Sequence, residues 1–151
     1  MLIRASLYAA VITIVLRFAL PALADANLDA ARARWKSAAI SSYEYGYNKY
    51  CDCHRESPPE TVVTVRGGTV TSVRHRPVGT TVEVPAADKN LQYYWTVDGL
   101  FELVAAAQAR GVQVRAAYDA ELGFPREIYI DYDTNLIGDE LDLRMTGVTR
   151  L

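Results

Sequence analysis

The chain has 151 residues, a formal net charge of −2 and a hydrophobic fraction of 50%. A chain of this length can bury the core of one compact domain, and a mildly acidic surface is poorly suited to nucleic acid. We therefore expect one domain and no nucleic-acid partner.

The first residues have the pattern of a secretory signal peptide. Arg4 precedes an apolar run over residues 5–16, and an Ala-Leu-Ala cleavage site ends at residue 24. The run is shorter than the ~20 residues of a membrane helix, so no stable membrane span is expected after cleavage. The sequence predicts a signal peptide over 1–24 and a secreted or periplasmic domain over 25–151, whose charge is −4 because the leader removes two arginines and no acid. An uncleaved anchor or a misassigned start is the alternative.

The mature chain begins with a helix and a tyrosine-rich strand. Helical spacing predicts a helix over residues 27–40. In the strand that follows, Tyr43, Tyr45 and Tyr47 alternate with other residues and therefore share one face. We expect their rings to be core; an exposed aromatic face that binds a sugar or a partner protein is the alternative. Gly46 predicts a bulge or a close backbone approach.

The strand leads into Cys51-Asp52-Cys53-His54. In an extended chain the two cysteine Cα atoms would be roughly 6.6 Å apart, near the upper limit for a disulfide, so a bridge requires a turn at Asp52. Because an exported protein meets an oxidising environment, we predict a disulfide between Cys51 and Cys53. The alternatives are a copper or zinc site of Cys51, Cys53 and His54, and free or intermolecular thiols.

Glycine and threonine signals delimit the elements of the remaining chain. Gly67-Gly68 between two alternating valine-rich runs predicts a hairpin of strands over 61–66 and 69–76. Thr96 is the predicted N-cap of a helix over 97–110. Further strands are predicted over 112–118, 126–132 and 141–145, and residues 77–90 are predicted to be a surface connection. This order predicts an α+β fold, an antiparallel β-sheet with two helices on one face, in which a unit of one helix and three strands occurs twice.

An acidic stretch near the C-terminus has the ligand spacing of a calcium loop. Oxygen ligands fall at positions 1, 3, 5, 9 and 12 of a twelve-residue loop, namely Asp131, Asp133, Asn135, Asp139 and Asp142. Position 6 lacks the usual glycine, position 12 is the shorter aspartate, and a strand rather than a helix precedes the loop. The competing interpretation is a solvated acidic turn between two strands.

Charge is distributed unevenly along the chain. Residues 119–142 carry eight acids and one base, Arg126, whereas Arg66, Arg74, His75 and Arg76 make the second hairpin basic. If the two regions are neighbours, their charges pair internally; if not, the acidic edge is a candidate surface for a cationic partner. Exposed charges on edge strands also protect against aggregation.

Several motifs together resemble a family of secreted bacterial domains of unknown function. They are Trp35, Tyr43-x-Tyr45, Cys51-x-Cys53, Gly67-Gly68, Thr96-x-Asp98-x-Leu100-Phe101, and Gly123-x-Pro125 followed by Ile128-Tyr129-Ile130-Asp131. The resemblance covers almost the whole mature chain and implies an exported bacterial protein with a single domain. It implies no activity, cofactor or catalytic residue.

The sequence contains no assembled set of catalytic residues, so we expect a non-enzymatic binding module whose partner is another secreted or envelope protein. The first alternative is a metal-handling protein that uses Cys51, Cys53 and His54 for copper or zinc, or the acidic turn for calcium. A thiol-dependent enzyme is the least favoured alternative, because no residue visibly orients a histidine base beside either cysteine. No cofactor is expected.

Overall fold

The computed structural model describes residues 26–50, 60–86 and 88–151. The predicted signal peptide and the Cys51–His54 stretch lie outside the described residues, so both stay predictions. The described elements are α1 (Ala26–Ala38), β1 (Tyr43–Tyr50), β2 (Glu60–Arg66), β3 (Thr69–Arg76), β4 (Val84–Pro85), a 3₁₀ helix (Asp88–Tyr93), α2 (Val97–Ala109), β5 (Gln113–Tyr118), β6 (Pro125–Asp131) and β7 (Leu141–Arg150). No helix in these ranges is both long and apolar enough to cross a membrane.

All seven strands form one antiparallel sheet in the order β4-β3-β2-β1-β7-β6-β5. The first strand of the chain therefore lies beside the last one, which joins the two halves at the centre of the sheet. The predicted α+β class and antiparallel sheet are confirmed. That a unit of one helix and three strands occurs twice stays a prediction, because β4 and the 3₁₀ helix interrupt the first half.

Both helices pack against the sheet face that carries the tyrosines of β1. The ring of Trp35 in α1 meets that of Tyr43 edge-on at 5.2 Å between centroids. The Tyr43 hydroxyl accepts a hydrogen bond of 2.8 Å from the amide of Val97, the first residue of α2. This face forms the core, with Leu28, Trp35, Val63, Val65, Leu100, Phe101, Ile128, Ile130 and Leu143 among its buried side chains.

The tyrosines of β1 are core residues, as predicted. Tyr43, Tyr45 and Tyr47 are each at most 4% exposed, so the alternative of an exposed aromatic face is wrong for these three. Burial raises the pKa of Tyr43 to about 12, and it raises the pKa of Tyr45 and of Tyr47 further still. Their phenols therefore stay neutral. Two of them form hydrogen bonds around the start of α2, where the Tyr43 hydroxyl accepts from the Val97 amide and the Tyr45 hydroxyl donates to the carbonyl of Trp95.

Gly46 lies at the predicted bulge. Tyr45 is opposite Val148 while Gly46 is opposite Thr146, so Gly147 of β7 has no partner on β1. A Cβ atom at position 46 would lie 2.2 Å from Oγ1 of Thr146, a distance at which one of the two must move. The predicted bulge and the predicted close approach are both confirmed.

Helix α2 begins where the sequence indicates, whereas the connection before it has more structure than predicted. Thr96 is the N-cap, and its hydroxyl accepts a hydrogen bond of 3.0 Å from the amide of Gly99. The predicted surface connection over 77–90 contains β4 and the first half of the 3₁₀ helix. Because β4 has only two residues, it produces no alternating pattern in the sequence. Strand β7 also continues to Arg150, beyond the predicted end at residue 145.

Because the strands are antiparallel, the connections between them emerge at two opposite ends of the sheet. We call the end at which β1 ends and β2 begins the loop end; the connections 77–83 and 132–140 emerge there. We call the opposite end, with the Gly67-Gly68 turn and the 119–124 turn, the turn end.

The turn end is held by short backbone contacts. The amide of Gly68 donates to the carbonyl of Ser41 at 2.9 Å, and the amide of Leu151 donates to the carbonyl of Ser42 at 3.1 Å. Gly123, with φ of +82°, is so close to α1 that a Cβ atom there would lie 2.2 Å from the carbonyl oxygen of Ala31. The turn end therefore locks the sheet to α1.

Candidate functional site

The loop end carries the most exposed apolar side chains in the described part of the chain. Eight large hydrophobic residues are exposed in the described part of the chain, and six of them lie in strand termini or loops of this end. These six are Tyr50, Val78, Val82, Val84, Leu136 and Ile137, with Ile137 reaching 91% exposure. The turn end contributes Leu151 alone to that set. Exposed apolar side chains gathered in one region mark interaction sites more often than scattered ones do.

Local hydrogen bonds hold the apolar tip of the 132–140 loop in place. A carboxylate oxygen of Asp133 accepts from the amide of Asn135 at 3.0 Å and from its side-chain amide at 2.9 Å. The carbonyl of Asp133 accepts from the amide of Leu136 at 2.8 Å. This tight turn presents Leu136 and Ile137 to solvent, and exposure of apolar surface to water is unfavourable.

A charged network supports the other loop, 77–83. Glu83 accepts from Arg74 at 2.7 Å and from Arg76 at 2.9 Å, and these contacts hold the pKa of Glu83 below its usual range. Arg74 also donates to Glu44 at 3.1 Å. Val78 and Val82 project from this braced loop and are about as exposed as Leu136.

The basic hairpin and the acidic segment are not neighbours. In the sheet order, β1 separates β2 and β3 from β7, β6 and β5. Arg74 and Arg76 are neutralised within their own half, by Glu44, Glu60 and Glu83. Internal pairing between the two regions is therefore wrong, and the acidic edge keeps its excess of negative charge.

Asp131 is the centre of that negative charge. Burial raises the pKa of Asp131, and the neighbouring carboxylates of Asp139, Glu140 and Asp133 raise it further. The Oδ1 atoms of Asp131 and Asp139 are both out of contact with solvent and have no hydrogen-bond partner in the described residues. Carboxylates in such surroundings favour a cationic group beside them.

The predicted calcium ligands converge only in part. Asp131 and Asp139 are neighbours, whereas Asp133 uses its carboxylate on Asn135 and Asp142 lies beside Arg144 at 3.5 Å. Within the described ranges, no group of three or more His, Cys, Asp or Glu side chains is placed to hold a metal ion. Calcium at this turn stays a prediction, as does copper or zinc at Cys51, Cys53 and His54.

Sequence analysis missed a small polar cluster on the helix-covered face near the loop end. Nδ1 of His75 is 2.9 Å from the hydroxyl of Thr61, and Nε2 is 3.3 Å from the hydroxyl of Tyr94. From the sequence, His75 counts among the basic residues of the second hairpin. Its parity with the buried Val73 on β3 is the signal that places it on the core face.

A shallow cleft of about 330 Å³ lies at the turn end, between the 119–126 segment and the β7 bulge. Its lining includes the buried Phe124 and Met145 and the exposed Arg126. The carboxylate of Asp119, also in the lining, accepts from the amides of the 119–124 turn. No residue that the sequence singled out as a ligand or catalytic group lies there.

A seven-stranded antiparallel sheet covered on one face by two helices defines an α+β domain, and its exposed apolar and acidic side chains concentrate at the loop end. Residues 27–150 match the model of DUF6174, described as a family of unknown function, and the chain belongs to that family. The predicted membership of a family of unknown function is confirmed. No curated protein and no solved structure matches the chain.

Proposed function

We propose that this protein is a non-enzymatic binding module of an exported compartment, and that its loop end binds another secreted or envelope protein. The observation that carries the proposal is the concentration of exposed hydrophobic side chains at that end, in loops that hydrogen bonds and ion pairs hold in shape. Ordered loops lose less conformational entropy on binding than flexible ones, which favours affinity.

The dimensions of the loop end suit a protein partner. Four strand intervals separate β3 from β6 in the sheet. At ~4.8 Å per interval, the loops 77–83 and 132–140 emerge about 19 Å apart. One side of an ordinary protein interface covers about 800 Å², which requires a span of this order.

The charge of the loop end defines the chemistry of the partner. Asp139 and Glu140 lie close enough to Asp131 to raise its pKa, and Leu136 and Ile137 are exposed in the same loop. A complementary surface carries Lys or Arg side chains around an apolar pocket. Such a surface relieves the repulsion at Asp131 and accelerates association by electrostatic steering.

Site-specific photo-crosslinking tests the proposal. A photoreactive amino acid replaces Ile137 in one variant and Leu151, at the turn end, in a matched control, both in the producing cell. We expect a discrete protein adduct from position 137 and none of that mass from position 151. Equal adducts from both positions, or none from position 137, would contradict the proposal.

The second candidate function is calcium binding at the 131–142 turn, which the two unpartnered carboxylate oxygens of Asp131 and Asp139 favour. Calcium bound only to the native state raises the melting temperature. A rise on adding calcium chloride that is lost in Asp131→Asn supports this candidate. An unchanged melting temperature removes it.

The copper or zinc alternative depends on thiols that a disulfide would remove. A thiol count on the exported, unreduced protein separates the two: no reactive thiol at monomeric mass supports the bridge between Cys51 and Cys53. Two reactive thiols together with bound copper or zinc support the metal-handling alternative.

A further inference from the structure

A continuous series of aromatic rings crosses the core from α1 to the surface near the loop end. Successive ring centroids are 5.2 Å apart from Trp35 to Tyr43, 6.1 Å from Tyr43 to Tyr45, and 6.4 Å from Tyr45 to Tyr47. The series then continues from Tyr47 to Tyr94 at 5.5 Å. We call these five rings the aromatic ladder. Trp95 adjoins it, 6.4 Å from Tyr47.

The solvent exposure of the rings increases at the outer end of the ladder. Trp35, Tyr43, Tyr45 and Tyr47 are buried, whereas Tyr94 is partly exposed. Indole and phenol are the side chains of this chain that lose one electron most readily after the thiols, and rings at van der Waals separation exchange electrons efficiently. A positive charge placed on any ring of the ladder therefore has a path to the surface.

Tyr94 differs from the buried tyrosines in what its hydroxyl faces. The hydroxyl of Tyr45 donates to a backbone carbonyl, and that of Tyr43 accepts from a backbone amide; neither partner takes up a proton. The hydroxyl of Tyr94 lies 3.3 Å from Nε2 of His75, an imidazole nitrogen that is a base. Loss of an electron makes a phenol strongly acidic, so the ring beside a base is the one at which a radical comes to rest.

The contact with Thr61 is compatible with the tautomer that this chemistry needs. When Nδ1 of His75 carries the hydrogen, it donates to the Thr61 hydroxyl at 2.9 Å. Nε2 then presents its lone pair to the Tyr94 hydroxyl. Burial raises the pKa of Tyr94, so its phenol is protonated before oxidation and has a proton to transfer.

We propose that Tyr94 and His75 form a redox-active pair, and that the aromatic ladder carries oxidising equivalents from the core to it. In the step, an indole radical cation at Trp35 or Trp95 takes one electron and becomes neutral indole. Tyr94 supplies that electron, its O–H bond breaks, and the proton forms a bond to Nε2 of His75. The products are a neutral phenoxyl radical and an imidazolium, so the single positive charge moves from indole to imidazole. The oxidant is a small one-electron radical, and a thiol- or ascorbate-type reductant returns the phenoxyl to phenol.

Pulse radiolysis with azide radicals tests the pair, because the azide radical takes one electron from indole and becomes azide. In the native protein we expect the indole radical band to decay into the phenoxyl band at a rate independent of protein concentration. Tyr94→Phe, which keeps the ring contact with Tyr47, should lose most of the phenoxyl yield. His75→Gln should slow the conversion, since glutamine keeps a hydrogen bond but accepts no proton.

Two matched controls and an isotope measurement complete the test. Tyr93→Phe changes an exposed neighbour, and Tyr129→Phe changes a tyrosine on the opposite sheet face under Arg115; neither should alter the yield. The conversion should be slower in D₂O for the native protein, and this isotope effect needs no variant to fold. An undiminished phenoxyl yield in Tyr94→Phe, an equal loss in Tyr129→Phe, or no isotope effect would overturn the proposal.

Discussion

The two ends of one sheet use the same strands for different purposes. At the turn end, two- to six-residue connections are tied to α1 and to residues 41–42 by backbone hydrogen bonds and by close packing at Gly123. At the loop end, longer connections carry exposed apolar side chains, and two carboxylate oxygens there have no hydrogen-bond partner in the described residues. The turn end is therefore tied to the rest of the fold by backbone contacts, whereas the loop end exposes apolar side chains.

The strand β1 illustrates the gradient between the ends. Tyr43, at its turn-end terminus, is buried and hydrogen-bonded to the first residue of α2. Tyr50, at its loop-end terminus, is 40% exposed and lies under the guanidinium of Arg144 at 5.4 Å. The same residue type thus contacts a helix at one end of the strand and presents an exposed ring at the other.

Replacement of one glycine by alanine at each end should give the largest difference in stability between a turn-end and a loop-end variant. Gly123→Ala places a methyl group against the Ala31 carbonyl at positive φ, so we expect a loss of about 3 kcal/mol or more in unfolding free energy. Gly138→Ala, at φ of +93° with open space around it, should cost about 1 kcal/mol. Urea denaturation measures both, and equal costs would contradict the view that the turn end is the locked one.

Replacement of one tyrosine at each end should give a smaller difference in stability, with the larger loss again at the turn end. Tyr43→Phe leaves the buried Val97 amide without its acceptor, which should cost about 1–3 kcal/mol. Tyr50→Phe removes a hydroxyl from an exposed ring and should change stability by less than about 0.5 kcal/mol. Thermal and urea unfolding of the two variants provides the comparison. A larger loss in Tyr50→Phe would mean that the loop end contributes more to stability than the contacts indicate.

The smallest expected effect is a gain in stability at the loop end. Because the folded state raises the pKa of Asp131, it holds that proton more tightly than the unfolded chain does. The carboxylate therefore lowers stability above its folded-state pKa, and the penalty disappears as pH falls through that pKa. Asp131→Asn should be more stable than the native protein at neutral pH, with the gain vanishing in acid. Unfolding curves of both proteins over a pH series measure it; a native protein more stable than the variant at neutral pH would indicate an attractive partner for Asp131.

Local patterns predicted most of the fold because they act over a few residues. The alternation in Tyr43–Tyr47, the glycine pair at 67–68 and the cap at Thr96 each specify an element through nearby backbone geometry. The sheet order was not predictable in that way, since the pairing of β1 with β7 joins residues from opposite ends of the chain. The two-residue β4 was missed for the complementary reason, because it is too short to form a pattern.

Less of the candidate site than of the fold could be predicted from the sequence. Exposure of Leu136 and Ile137 depends on which end of the sheet their loop leaves, and that follows only from the strand order. The sequence did locate the excess acid over residues 119–142, but not that β1 separates it from the arginines of the second hairpin. The contact of His75 with Tyr94 joins β3 to the segment before α2, which no local spacing encodes.

The most direct test of the binding function compares the affinity of the crosslinked partner for two single variants. Ile137→Ser removes the most exposed apolar side chain of the loop end, and Leu151→Ser removes one of comparable type at the turn end. We expect Ile137→Ser to weaken binding at least about tenfold, with unchanged melting temperature, and Leu151→Ser to leave the Kd unchanged. Equal affinities of both variants and the native protein for the partner would contradict a binding surface at the loop end.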